Sequence, residues 1–232
     1  MPLLIAVPVA AAFLYLLGFL LFETVIVFVI GRDMFNSVQA TFGIAIVLQQ
    51  AMALGFGGTD RILDSGLGSW FLFDGLVGIA KVKVLVFLAC IALGFALAVF
   101  LARSRQGQAI RAVAQDERAA SVLGIDTRRV YRLTFALNAA ICGGAGALAV
   151  NAYTIHAYSG LNYTLRAFMI VAVAGLGNLT GVAVAAIGLG IAESFAGFIL
   201  GAQFQLAFVF SLLVVLLVMR NWRLKLKRQY LR

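Results

Sequence analysis

Cysteine, histidine, proline and charge are all scarce in this sequence. Two cysteines in 232 residues exclude a disulfide framework. Cys90 and Cys142 both stand inside apolar runs, where buried free thiols are the plain expectation. The single histidine, His156, excludes a His-rich metal site, and neither His-Glu-x-x-His nor Cys-x-x-Cys occurs. No metal and no cofactor are therefore expected. Gly-x-x-x-x-Gly-Lys-Ser/Thr is missing as well, so no phosphate-cradling loop is legible. Charged residues make up only 12% of the chain, about half the share of a soluble domain. A disordered chain, which needs low hydrophobicity and high charge, is excluded on the same ground.

What is present is apolar. Hydrophobic residues make up 63% of the sequence, and the mean hydropathy is +1.05. One water-facing domain cannot hide that much apolar surface, so lipid is the expected solvent. Runs long enough to cross a bilayer as helices lie at 3–22, 38–57, 84–101 (extendable back to 79) and 133–150. A longer uncharged run is interrupted by Gly175, Gly177 and Gly181 and is split into 164–176 and 182–200, a pair also open to a re-entrant reading. Residues 205–219 close the series. The expected fold class is an all-α polytopic membrane protein of about seven transmembrane helices. The expected organisation is one transmembrane domain over 1–219 with a loop at 102–132, then a basic tail at 220–232.

Charge orients the chain. Residues 102–132 carry seven arginines against Asp116, Glu117 and Asp126, and 220–232 carry six Lys/Arg and no acid. The positive-inside rule makes both segments cytoplasmic. Residues 58–78, with Asp60, Arg61, Asp64 and Asp74, then face outside. The N-terminus is expected outside and the C-terminus inside. Lys81 and Lys83 fit this scheme poorly, at the outer end of a span, and are expected to snorkel to headgroups. The basic tail reads as an anchor that attracts anionic lipid. No nucleic-acid partner is expected, since no recognition pattern accompanies the charge. His156, Tyr153, Tyr158 and Tyr163 read as an aromatic belt at the outer interface.

The loop is more than a linker. Ile110, Val113 and Ala114 have the i, i+3, i+4 spacing of a helix face, with Arg111, Gln115 and Arg118 turned away. Ala119, Val122 and Leu123 continue an apolar stripe. Gly124 supplies a stop, and Asp126 can cap the next helix. A short amphipathic helix at the inner membrane face follows. It either rests on lipid or enters a groove on a cytoplasmic partner.

At Gly107, Ile110-Arg111-Ala112-Val113-Ala114, Ala119-Ala120, Leu123-Gly124-Ile125-Asp126, Phe135-Ala136 and Gly143-Gly144-Ala145-Gly146-Ala147, the chain resembles bacterial ABC-importer permeases of the branched-chain amino-acid family. Ordered spacing over about 40 residues makes this specific. Val173 to Gly181, Ile187 to Ser194 and Thr41 to Gln49 are similar to further family segments, so the likeness covers most of 36–219. The family pattern places two or so further spans, ending near Asn-Phe-Ala-His-Gly, ahead of the first run. Nothing like that motif is legible in these 232 residues, and a shortened reading frame, a fragment or a diverged member is expected. The usual Arg-Pro-x-Gly after the last helix is replaced by Arg220-Asn221-Trp222-Arg223.

The resemblance implies a permease subunit in a bacterial inner membrane, not itself an enzyme. It implies four kinds of partner: a second homologous permease subunit, two ABC ATPase subunits, an external solute-binding protein and membrane lipid. It assigns ATPase docking to Gly107, Arg111, Ala114, Ala119, Ala120, Leu123, Gly124, Ile125 and Asp126.

Single polar residues in the spans are candidates for the translocation path: Thr41, Gln49, Gln50, Asn178 and Glu193. Glu193 is costly in a span and should face protein or water, or pair internally with Arg166. Asn178 is equally explained by turn geometry, and the amides by bonds between helices. Branched-chain amino acids are the implied solutes; urea and short amides are alternatives within the family. A secondary transporter would call for more intramembrane carboxylates in paired halves, and an intramembrane enzyme for a nucleophile–base constellation. A truncated, non-transporting remnant is a further alternative.

Overall fold

The structure is a computed structural model, and it describes residues 3–30, 34–59, 68–72, 77–175, 177–205, 207–212, 214–215 and 218. Asp60, Arg61, Asp64, Asp74 and the tail 220–232 lie outside the described residues, as does part of the span expected at 205–219. Eight α-helices have bounds within the described residues: α1 (Leu3–Thr24), α2 (Met34–Phe56), α3 (Lys81–Arg103), α4 (Arg105–Gln115), α5 (Glu117–Val122), α6 (Thr127–Ala152), α7 (Gly160–Ala174) and α8 (Leu179–Leu200); residues 205, 207–212, 214–215 and 218 are helical as well. Short 3₁₀ turns follow α1 at Ile26–Phe28 and α8 at Ala202–Phe204. The helical architecture is the expected one. Its small exception is an antiparallel hairpin, β1 (Ser69–Leu72) against β2 (Val77–Ala80), with Ser69 opposite Ala80 and Leu72 opposite Val77.

Among the described residues, five helices are long and apolar enough to cross a membrane, within Ile5–Phe28, Asn36–Phe56, Lys81–Arg103, Thr127–Ala152 and Leu179–Ile199. At 1.5 Å per residue, the 22 residues of α8 reach about 33 Å, enough for a ~30 Å hydrocarbon core. The span expected at 164–176 is the 15-residue α7, which reaches about 22 Å and falls short of that thickness. It stops early because Gly175, at φ 86°, turns the chain left-handed at its end. A second left-handed glycine, Gly177 at φ 83°, completes the bend that separates α7 from α8.

The chain divides into two compact units, Met1–Tyr158 and Ser159–Arg232. The spine of the first is the pair α1 and α6, which run antiparallel. Gly18 lies against Ala136 and Ala139, and Gly143 lies against Ala10 and Leu14. A Cβ on Gly143 would stand 2.6 Å from the Ala10 carbonyl oxygen, and one on Gly18 would stand 2.6 Å from the Ala139 Cβ. Lipid tails are as apolar as leucine, so hydrophobicity does not press two such helices together. Close backbone approach, and the dispersion contacts it permits, does. α3 joins this spine through Leu93, whose Cδ1 lies beside Gly144.

Few side chains are buried, among them Phe22, Ala136 and Leu148 in the first unit and Met169, Ala196 and Val209 in the second. Large apolar residues are instead widely exposed, Leu54, Phe95, Val184 and Phe198 among them, as lipid-facing surfaces require. Cys90 and Cys142 are free and exposed. The expectation of buried thiols is corrected: an apolar run here marks contact with lipid, not a core.

The far end of the first unit carries the interfacial layer. Lys81 and Lys83 open α3, where cations oppose the helix dipole. Lys81 Nζ lies 5.7 Å from the Trp70 ring centre and Lys83 Nζ 5.8 Å from that of Tyr153. Cation–π contact offsets the poor placement that the charge pattern alone suggested.

Candidate functional site

The loop between α3 and α6 is a built structure, held at both ends and in its middle. Ser104 caps α4, its Oγ accepting the Gly107 N–H at 2.8 Å. Gly107 lets α4 press onto the end of α3: a Cβ there would meet the Phe100 carbonyl oxygen at 2.5 Å and the Leu101 Cα at 2.6 Å. The Arg111 guanidinium donates to the Ala102 carbonyl at 3.3 Å, satisfying one of the orphan acceptors that end α3. Asp116 breaks the helix and restarts it, Oδ1 accepting from the Arg118 and Ala119 N–H groups at 2.9 and 3.0 Å.

α5 ends in a Schellman turn. The Ile125 N–H donates to the Ala120 carbonyl and the Gly124 N–H to the Ser121 carbonyl, at 3.1 and 3.0 Å, with Gly124 at φ 83°. Asp126 then caps α6, accepting the Arg129 N–H at 3.0 Å.

Burial sorts the residues of this loop. Gly107, Val113 and Ala120 face inward, Ala120 with only 2% of its surface exposed. Arg111, Ala114, Ala119, Leu123, Gly124 and Asp126 are exposed, and Ile125 is half-buried. Ala114 therefore does not share the inward face with Val113, as its spacing suggested. The inward stripe instead runs through Gly107, Ile110 and Val113. Val122 and Leu123, 88% and 81% exposed, form an apolar tip that nothing in the chain covers among the described residues. Val122 was legible only as part of a stripe; its outward direction follows from the break at Asp116.

A second feature escaped the reading of the sequence. Glu23, at the end of α1, accepts from Arg132 at 2.8 Å and from Arg128 at 3.5 Å. The Arg132 guanidinium also lies 5.1 Å from the centre of the Phe19 ring. The signal for it was present: one acid closing a charge-free run, and two arginines four apart on one helix face. The cluster ties the exit of α1 to the first turns of α6, directly after the loop.

The path candidates fall in separate units. Thr41, Gln49 and Gln50 lie on α2. The Thr41 hydroxyl is satisfied within its own helix, donating toward the Ser37 and Val38 carbonyls at 3.0 Å each. Gln50 is exposed and Gln49 half-buried.

In the second unit Asn178 is the N-cap of α8, its Oδ1 accepting from the Gly181 N–H at 3.0 Å and from the Thr180 hydroxyl at 2.9 Å. Gly181 is bare because the Asn178 side chain folds over it; an added Cβ would meet Nδ2 at 2.5 Å. Glu193 pairs with Arg166 at 2.5 Å, the side chains 15% and 36% exposed. Its backbone carbonyl accepts from Gln205 Nε2 at 3.1 Å.

An apolar recess of about 230 Å³ opens between α7 and α8, lined by Met169, Ile170 and Val173 on one side and Ala185, Gly188 and Leu189 on the other, with Leu212. Among the described residues, no group of three or more His, Cys, Asp or Glu is placed to hold a metal ion.

Residues 1–219 match the protein family described as branched-chain amino acid transport system, permease component. The chain belongs to this permease family. Its curated relatives include the high-affinity branched-chain amino acid transport system permease protein BraD of Pseudomonas aeruginosa, 30% identical over 187 residues, covering 78% of this chain and 61% of the relative. The corresponding protein LivH of Salmonella typhimurium is 33% identical over 186 residues, covering 78% of this chain and 60% of the relative. LivH of Escherichia coli K12 gives the same figures. The chain thus spans about 60% of the length of the curated relatives it matches. No solved structure matches. A multi-pass membrane protein of a transport-permease family is what the long apolar helices and the family match together establish.

Proposed function

We propose that this chain is a membrane-spanning permease subunit of an ATP-driven importer of branched-chain amino acids in a bacterial inner membrane. The carrying observation is the α4–α5 loop: a rigid two-helix bracket whose only bare apolar tip, Val122 and Leu123, points away from the chain. In this reading Gly107, Ala120, Gly124, Ile125 and Asp126 shape the bracket, and Arg111 locks it to α3. Ala114, Ala119, Val122 and Leu123 enter a groove on an ATPase subunit. ATP is hydrolysed on two such subunits, a second permease chain completes the passage, and an external binding protein delivers the solute.

The bracket also transmits movement. Helix α6 begins two residues beyond the Schellman turn, and Glu23 links its first turns to α1. A push on the tip therefore reaches the α1–α6 spine with no flexible linker in between. Orientation follows with the loop on the cytoplasmic side: α1 ends beside that loop, so Leu3 starts outside, with the hairpin, Trp70 and Tyr153 on the same outer side.

The test is Val122→Asp with Leu123→Asp in the reconstituted importer. Binding of the ATPase subunits and ATP-dependent leucine uptake are expected to fall at least tenfold, since two charges at an apolar anchor cost about 2 kcal/mol or more. Membrane insertion should stay unchanged. Intact ATPase binding would overturn the docking assignment.

A further inference from the structure

The Arg166–Glu193 pair and the recess beside it form one site by construction. Met169 and Ile170 lie three and four residues beyond Arg166 on α7, one turn along the same face. Leu189 lies four residues before Glu193 on α8 and lines the same recess. The ion pair therefore stands at one end of an apolar pocket, on the same two helices. We propose that this is a subsite for a zwitterionic aliphatic α-amino acid. The inference rests on the importer reading above and adds to it where in the chain the solute is held.

Charge complementarity selects the occupant. A guanidinium and a carboxylate in contact match the carboxylate and ammonium of an amino acid, taken in exchange. The solute's carboxylate pairs with Arg166, its ammonium with Glu193, and no charge is left unpaired in a low-dielectric setting. Urea or an amide offers neither charge and would leave the protein pair unmatched.

The recess selects the side chain. Its lining is wholly apolar, and about 230 Å³ lies below the 300–1,000 Å³ of drug-sized sites, a scale suited to a branched aliphatic group. Gly188 keeps it open, for a Cβ built there meets nothing within 4 Å. Glu193 is held in place by Gln205, which bonds its backbone carbonyl, and the carboxylate is left to the exchange. The pair is only partly exposed, so a bound solute is weakly enough solvated to be attracted and still able to leave.

The experiment is uptake by the assembled importer in two sets of liposomes, one of zwitterionic lipid alone and one containing anionic lipid, comparing leucine, isoleucine and valine against the unaltered complex with the same binding protein. Gly188→Val adds bulk at the recess, where the first added carbon meets nothing within 4 Å. It should lower leucine and isoleucine uptake on the order of tenfold and valine less, the scale on which pocket volume discriminates aliphatic groups. Gly188→Ala should show the same order with smaller steps. Glu193→Gln, which keeps the shape and removes the charge, should lower all three alike by about tenfold. An equal loss for every solute in Gly188→Val, or a loss that follows lipid composition, would mean packing or a lipid headgroup at the pair and would overturn the subsite. Unchanged uptake in both Gly188→Val and Glu193→Gln would overturn it too. An unaltered complex that carries no branched-chain amino acid would instead overturn the importer reading itself, and the subsite with it.

Discussion

Two helix pairs in this chain solve the same problem by opposite means. α1 and α6 are joined by the absence of side chains: Gly18, Ala136, Ala139 and Gly143 bring the backbones together along most of their length. α7 and α8 are joined by a charge pair at one end, with the Met169, Val209 and Leu189 cluster beside it and a recess left open. In lipid neither pair gains from hydrophobic burial, so each needs a specific device. The difference lies in what each device leaves behind. Interdigitated small residues leave no room between α1 and α6. The ion pair joins α7 and α8 at one end and leaves the recess beside it open, which is where the proposed subsite lies.

That contrast can be broken most severely at Gly143. Gly143→Leu drives a side chain into the Ala10 carbonyl, a backbone atom that cannot rotate away. Overpacking of this kind costs about 3 kcal/mol and should sharply lower the thermal midpoint of the solubilised chain; an unchanged midpoint would show that the close approach is not structural.

Glu193→Ala should come next. It leaves Arg166 unpaired, and because Arg166 is about a third exposed the cost is set at about 2 kcal/mol, less than for a fully buried pair. The thermal midpoint should recover in the double variant Arg166→Met with Glu193→Leu; no recovery would mean the pair does more than offset its own desolvation.

Asn178→Ala removes the α8 cap and should cost about 1 kcal/mol, visible as faster amide exchange in the first turn of α8 alone.

The smallest effect separates two arginines on one acid. Arg132, at 2.8 Å from Glu23 and stacked on Phe19, should cost about 1 kcal/mol on change to alanine. Arg128, at 3.5 Å and 68% exposed, should cost about 0.3 kcal/mol or less. Equal effects by urea titration would place the link on charge alone, with no contribution from geometry.

Much of this was legible from residue order. The long runs became helices, because only a helix satisfies every backbone group in lipid. Gly124 and Asp126 did what their residue types allow, ending one helix and capping the next. Asn178 took the turn role that its type suggested, and Glu193 took Arg166 as partner. What stayed hidden depended on direction and on distant chain. Ala114 faces outward because the inward stripe of α4 runs through Gly107, Ile110 and Val113, and Ala120 faces inward on α5, after Asp116 breaks the helix and restarts it. The length of α7 depended on which glycine turned left-handed. Lys81 and Lys83 looked misplaced until Trp70 and Tyr153 came to stand beside them.

Residue composition and order by themselves determined the solvent of this protein, its helical build, its family and the capped loop, since each depends on local chemistry or on patterns within one turn of helix. Tertiary structure alone decided which small residues touch, that Glu23 reaches Arg132 more than a hundred positions away, and that a charge pair stands at the end of an apolar recess. Those outcomes depend on which helix faces meet, and a face becomes a contact only when another helix is brought against it.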